Sequence, residues 1–258
     1  MGKGGNSTKM QPRTDFYRST SDEPHVARRK AILKAHPEMQ ELFGPDPRPI
    51  PWAALAVGVQ LVLAYYAHLM SWPIFLGVAY VVGGTIAHCM ALATHELSHN
   101  LWFQTRVYNE YYGIFCNIAM GVPSSITFKR YHMEHHQFQG VEGKDADIPT
   151  YMEGRMFRSA FFKFIYLIFT PLAYGARPGV VYPKAMNKME LINAAVIIIS
   201  DLAVFHFCGL AGLSYIFASL VMGLGLHPMS GHFIAEHYVY KEGQETYSYY
   251  GPLNLFAW

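Results

Sequence analysis

Two stretches of this chain run for more than fifty residues each without a lysine or an arginine. The first lies between Arg48 and Arg106 and holds one acid, Glu96. The second lies between Lys188 and Lys241 and holds three, Glu190, Asp201 and Glu236. About 20 apolar residues cross a bilayer as helix, so each stretch has room for two crossings and a short turn. The first divides into spans near residues 52–69 and 73–94, with a turn around 71–73. The second divides into spans near 191–208 and 214–235, with a turn at 209–213. Water-soluble cores also contain apolar runs, but runs this long and this free of charge favour lipid. The expected fold class is all-α integral membrane, with four transmembrane helices paired as two hairpins.

The basic residues sort around these spans. Nine lie in residues 1–50, ten in 106–188, and Lys241 follows the last span. By the positive-inside rule the N-terminus, the long middle segment and the C-terminus face the cytoplasm. Residues 1–50 read as an N-terminal cytoplasmic region and 51–258 as the membrane domain. Residues 157–176 are apolar too, but Arg158, Lys163 and Arg177 stud them, so they are expected to lie at the interface rather than cross it. A formal charge of +2 leaves no basic excess for a nucleic-acid partner. Cys89, Cys116 and Cys208 are too few and too scattered for a disulfide framework or a zinc pattern. Residues 1–50 lack the apolar core of a signal peptide. Met1-Gly2 opens like a myristoylation signal, but Asn6 stands where Ser or Thr is wanted, so an ordinary polar leader is the alternative.

Thirteen histidines are the compositional outlier. His95-Glu96-Leu97-Ser98-His99 ends the second expected span, and an i, i+4 spacing puts both imidazoles on one helix face. His88, seven residues earlier, lies close to that face. His132-Met133-Glu134-His135-His136 falls in the middle segment. On a helix His132 and His136 share a face while His135 points about 100° away from its neighbour. His227, His232 and His237 surround the end of the fourth expected span. In the four-span topology all three groups emerge on one side of the membrane and can converge as a cytoplasmic histidine-rich metal domain.

Neutral imidazole suits iron, copper, nickel and zinc alike. The candidate ligands are His95, His99, His132, His135, His136, His232 and His237. His88, Glu96 and His227 are candidates for supporting them from outside, as is Asp201, an acid placed mid-span. Asp201 could equally pair with His206 or a backbone group. Isolated histidines such as His68 and His206 read as ordinary core or interfacial side chains. One rival reading is a membrane zinc protease, because residues 95–99 match H-E-x-x-H with Glu96 as base. That enzyme needs three protein ligands for one zinc and leaves the second cluster unexplained.

H-x-x-x-H followed by H-x-x-H-H on a four-span frame resembles the membrane fatty-acid desaturase and hydroxylase superfamily. Five further stretches narrow the resemblance to the sphingolipid delta-4 (dihydroceramide) desaturases: DEPHVARR at 22–29, FKRYH at 128–132, DADIPT at 145–150, GHFIAEHY at 231–238 and ETYSYYGPLN at 245–254. The resemblance implies a multi-pass enzyme of the endoplasmic reticulum membrane with a non-haem centre of two iron ions. It implies removal of two hydrogens from dihydroceramide to give the trans-4 double bond of ceramide. Dioxygen would be the oxidant, with electrons from NAD(P)H through cytochrome b5 and its reductase. Some relatives hydroxylate the same carbon, which keeps a C4-hydroxylase open.

Family members also carry a third cluster, H-x-x-H-H, shortly after the segment equivalent to 251–254. This sequence reaches Trp258 without one. The resemblance therefore implies about three ligands beyond residue 258, and a 258-residue chain inactive or nearly so by itself. A truncated form that regulates the full enzyme is the non-catalytic alternative. Tyr247, Tyr249 and Tyr250 read as an interfacial aromatic belt or a substrate wall. Asp145 and Asp147 read as loop structure rather than headgroup contacts.

Overall fold

The computed structural model describes residues 25–138, 141 and 143–233, and all of the regular structure among them is helical. The elements used below are α1 (His25–Ala35), α2 (Pro49–Leu69), α3 (Trp72–Ser98), α4 (Arg106–Asn117), α5 (Ser125–Phe138), α6 (Tyr151–Met156), α7 (Ala160–Val181) and α8 (Lys188–Leu224). Prolines occupy the first turns of α2 and α3, where a missing N–H costs no helical hydrogen bond. Asn187 caps α8 through a reciprocal pair of bonds with Glu190.

Four helices are long and apolar enough to cross a membrane: α2, α3, α7 and α8. The first two coincide with the first expected hairpin. The stretch expected at the interface falls on α7, whose 22 residues satisfy the length and composition of a crossing. Of the three charges that argued against this, Arg158 precedes the helix and the other two lie apart. Lys163 is near one end, and Arg177 is buried against the segment before α6. Helix α8 contains both later expected spans as far as residue 224, broken at Gly209, whose φ of 67° lies in the left-handed region that glycine adopts without a Cβ clash. Asp201 and Ile216 both approach Gly121. A straight helix would hold them about 22 Å apart, so the chain folds back at Gly209 into the hairpin that the sequence implied.

Side chains on the outer faces are large and apolar. Trp52 and Leu69 on α2, Phe161 and Val180 on α7, and Ile199, Leu202 and Phe207 on α8 are all exposed. Such surfaces are stable against lipid, not water, and with the four long helices they make the chain a multi-pass membrane protein. Inside, α3 and the returning arm of α8 touch backbone to backbone: a Cβ on Gly223 would lie 2.3 Å from the Gly84 carbonyl oxygen. Small residues allow this approach, as is common between membrane helices.

Buried polar groups then fix α5 against this frame. Asn117 Oδ1 accepts from the Ser125 amide at 2.8 Å and from Asn193 Nδ2 at 3.2 Å. Glu190 accepts from Thr127 Oγ1 at 3.0 Å and pairs with Arg130. The start of α5 is thereby tied to the start of α8, which sets the histidines of α5 opposite the end of α3.

Candidate metal centre

Helix α3 stops at its last histidine for a local reason. His99 is the C-cap, and Asn100 follows at φ 60°, the left-handed conformation that asparagine tolerates better than most residues. Lys129 on α5 donates to the Asn100 side chain at 2.9 Å, joining the two histidine helices beside the cluster. One potential ligand atom from each of His95, His99, His132 and His136 lies within 4.8 Å of the other three. The Nε2 of His132 is 3.1 Å from His99 Nε2 and 3.0 Å from His136 Nε2. Two imidazole nitrogens each about 2.1 Å from one ion, at right angles, are about 3.0 Å apart. The donors therefore fit a first-row transition metal, and four neutral imidazoles do not by themselves choose which.

Carboxylates hold the rings from behind. His132 Nδ1 is 2.7 Å from Asp147 Oδ2, and His135 Nδ1 is 3.0 Å from both oxygens of Asp145. A proton on each Nδ1 puts the lone pair on Nε2, the arrangement that metal-binding histidines commonly have. Asp147 is supported in turn, because Tyr174 donates its hydroxyl to Oδ1 at 3.0 Å. Arg177 donates to the carbonyls of Ala146 and Asp147 and to the Glu153 carboxylate. The α7 helix thus clamps the segment that carries both aspartates.

The electrostatics follow from crowding. Burial, and then the neighbouring His132, His99 and His135, push the His136 ring down to about 4. His99 is lowered by the same two causes, with Lys129 adding to them. Burial alone would lower His135 as well, but the bond and charge of Asp145 outweigh it and raise that ring. Burial would raise Asp147, yet the His132 bond and charge hold its carboxyl below the usual range. The cluster favours unprotonated rings at its centre and charged carboxylates at its back.

The remaining candidates fall into three places. His135 diverges from His132 and His136 and stands outside the four-ring group, as helical spacing requires. His88 is fully buried on α3. Its Nδ1 is 2.9 Å from the Gly223 carbonyl and its Nε2 is 2.8 Å from His232 Nε2, a second nitrogen pair at metal-sharing distance. His227 accepts from the Met229 amide, and its ring stacks on His88 with centroids 6.4 Å apart. Glu96 is not directed at a ligand ring. Its carboxylate accepts from Trp102 Nε1 at 2.6 Å, which leaves the protease reading without its base at the site. Asp201 lies beside Gly121, and among the described residues its carboxylate has no hydrogen bond, to His206 or otherwise. His206 meets the exposed Phe207 edge to face, and His68 bonds a carbonyl three residues away. His237 and the three tyrosines at 247–250 lie outside the described residues.

The comparisons bear on what such a centre belongs to. A family model described as sphingolipid Delta4-desaturase matches residues 12–48, and one described as fatty acid desaturase matches residues 70–258. The chain belongs to the sphingolipid Delta4-desaturase branch of the fatty acid desaturases. A sphingolipid delta(4)-desaturase DES1-like protein of Arabidopsis thaliana is 46% identical over 266 residues, covering 100% of this chain and 80% of the relative. The human sphingolipid delta(4)-desaturase DES1 is 44% identical, covering 95% of this chain and 76% of the relative. A second human relative, 44% identical, carries the name sphingolipid delta(4)-desaturase/C4-monooxygenase DES2. No solved structure matches.

Within this desaturase four residues escaped the sequence reading. Asp145 and Asp147 were read as loop structure, and Tyr174 and Arg177 as parts of an interfacial stretch. The available signal was two carboxylates within eleven residues of a histidine cluster, the spacing at which a return loop can reach back to the rings. Tyr174 and Arg177 gave no such signal, since only the fold brings α7 alongside.

Proposed function

We propose that this desaturase introduces the trans-4 double bond into dihydroceramide to give ceramide. The observation that carries the reading is the convergence of His95 and His99 from α3 with His132 and His136 from α5. His88 and His232 supply a second pair, and His135 and His237 complete the ligand candidates. Two iron ions held by these rings would supply the oxidising power that an unactivated C–H bond requires. The balance is two hydrogens from the chain plus dioxygen, two electrons and two protons, giving two waters. The electrons would come from NAD(P)H through cytochrome b5 and its reductase.

The protein's own work is positional. Asp145 and Asp147 hold His135 and His132 by Nδ1, fixing which nitrogen faces the centre. The buried core excludes water on one side of the cluster, and apolar helix faces let a lipid substrate approach laterally. The excess of basic residues in 1–50 and 106–188 supports placing both termini and the histidine layer on the cytoplasmic side of the endoplasmic reticulum membrane. Hydroxylation at C4 stands as the second reading because a relative carries that activity in its name.

The test is expression in cells lacking sphingolipid desaturases, with product lipids read by mass spectrometry. Two forms are compared: the 258-residue chain, and that chain extended by the part of the Arabidopsis relative that lies beyond the match. Ceramide from the extended form is the expected result. C4-hydroxylated product in its place would favour the second reading, and an extended form that accumulates in membranes but yields neither product would overturn both. Iron content of the purified chain separates these readings from a zinc enzyme.

A further inference from the structure

We infer that a basic groove between α4, α5 and the start of α8 seats the phosphate headgroup of an anionic phospholipid. The site lies beside the histidines and does not depend on the reaction proposed for them. The groove has a volume of about 410 Å³, and Arg106, Lys129, Arg130 and Lys188 stand on its wall. Among the described residues Glu110 is the one carboxylate on that wall. It is shared: a single Glu110 oxygen accepts from Arg106 Nε at 3.1 Å and from Lys129 Nζ at 3.3 Å. Arg130 pairs with Glu190, and Lys188 has no carboxylate partner among the described residues. Two carboxylates therefore face four cations.

Two of these cations also stand against helix electrostatics. The start of a helix carries partial positive charge and favours anions. Arg106 is the first residue of α4, which has no acid in its first turn, and Lys188 is the first residue of α8. A phosphate in the groove answers both side chains and both helix ends, whose first amides have no partner within the helix. The surroundings favour a lipid over a soluble anion. Helix α8 is long and apolar enough to cross a membrane, so Lys188 marks the level at which it enters. Tyr108 and Tyr111 of α4 are exposed, as tyrosines of an interfacial belt are. Ile126, Met133 and Met189 supply an apolar part of the lining, suited to the glycerol and first methylenes below a headgroup. Basic pockets between spanning helices bind anionic headgroups in this way. A protein partner needs a surface on the order of 1,000 Å², whereas a groove of this size holds one small group. Lys129 also bonds Asn100, the residue after His99, so the groove adjoins the joint between the two histidine helices.

The test is native mass spectrometry of the detergent-solubilised 258-residue chain, titrated with phosphatidylinositol 4-phosphate and, separately, with phosphatidylcholine. Saturable binding of the anionic lipid is expected, well ahead of phosphatidylcholine. Arg106→Gln combined with Lys188→Gln should weaken that binding about 25-fold, roughly fivefold for each cation near a headgroup. Both side chains are exposed, and neutralising them relieves two helix starts, so the melting temperature should hold. Lys30→Gln combined with Lys34→Gln on α1 removes the same charge from exposed positions outside the groove and should leave binding unchanged. Equal binding of phosphatidylcholine would overturn the inference, as would equal losses in the two double variants. Release of the lipid by inorganic phosphate, but not by sodium chloride of the same ionic strength, would make the groove a site for soluble anions instead. Lipid binding indifferent to the Arg106 and Lys188 substitutions would also overturn it. If those substitutions weakened binding of the soluble domain of cytochrome b5 instead, the groove would belong to that protein.

Discussion

His132 and Asp147, fifteen residues apart, meet with Nδ1 2.7 Å from Oδ2, and the aspartate's other oxygen accepts from Tyr174. This pairing fixes the His132 tautomer, so Asp147 acts on the centre without touching it. Asp147→Ala is expected to weaken metal binding by about 10- to 100-fold, the usual effect of removing such a partner. Metal retained during dialysis against graded chelator measures it. Tyr174→Phe should act in the same direction and less strongly. Unchanged retention in Asp147→Ala would show that the ring is held by packing alone.

Arg177 is 4% exposed and serves two carbonyls, the Glu153 carboxylate and the Tyr166 hydroxyl at once. Arg177→Met would leave the half-buried Glu153 carboxylate without its cation and two carbonyls without this donor. The expected loss is about 3–5 kcal/mol, the range for breaking a buried ion pair from one side. Unfolding of the detergent-solubilised chain by heat or denaturant reads it. Arg177→Lys should restore little, because one ammonium cannot span acceptors that a planar guanidinium fork reaches together.

The spans, the hairpin turn at Gly209 and the pairing of His95 and His99 with His132 and His136 were legible because they follow from periods and gaps in the sequence alone. The charge-free stretches located α2, α3 and α8, and i, i+4 spacing set which rings share a face. The role of α7 was not legible. Nothing in the sequence tells that Arg177 finds its acceptors in a segment 24–31 residues away. Glu96 shows the converse. Its motif matched a catalytic base, but the turn made by Asn100 brings Trp102 back to it. Partners across a loop depend on tertiary closure, which periodicity does not encode.

His88 and His232 should be separable from the four-ring group. His88→Ala removes one nitrogen of the second pair and leaves His95, His99, His132 and His136 in place. The expected result is less metal per chain without complete loss, together with a change in the iron's spectroscopic signature. Metal analysis beside Mössbauer spectra of iron-57-loaded protein reads both. Wild-type metal content in His88→Ala would return His88 to a purely structural role, bonded to the Gly223 carbonyl.

The contact between α3 and α8 should fail sharply on a single methyl. Gly223→Ala would place Cβ 2.3 Å from the Gly84 carbonyl oxygen, and backbone on both sides has no side chain to rotate away. Overpacking of this kind costs about 1–3 kcal/mol, read as a lower melting temperature in detergent. His88 bonds the Gly223 carbonyl itself, so the same substitution should also lower metal retention. Gly58→Ala, with open space at its Cβ, should do neither.

Acid should destabilise the metal-free chain in a defined window. The His136 ring titrates near 4 in the folded chain, below the unfolded value of about 6.5. Between those values the unfolded chain binds more protons than the folded one at this site, so stability rises with pH there. This contribution is therefore fully present above about pH 6.5 and is lost as pH falls toward 4. His99 is shifted the same way and adds to the loss. His135 is shifted upward and opposes it, with its contribution largest below its unfolded pKa. The His136 shift is the largest of the three and sets the expected sign, a net loss on acidification. Melting temperature of the chelator-treated chain between pH 7 and 4 measures it, and His136→Gln should flatten the slope. A slope unchanged by that substitution would place the acid sensitivity elsewhere in the chain.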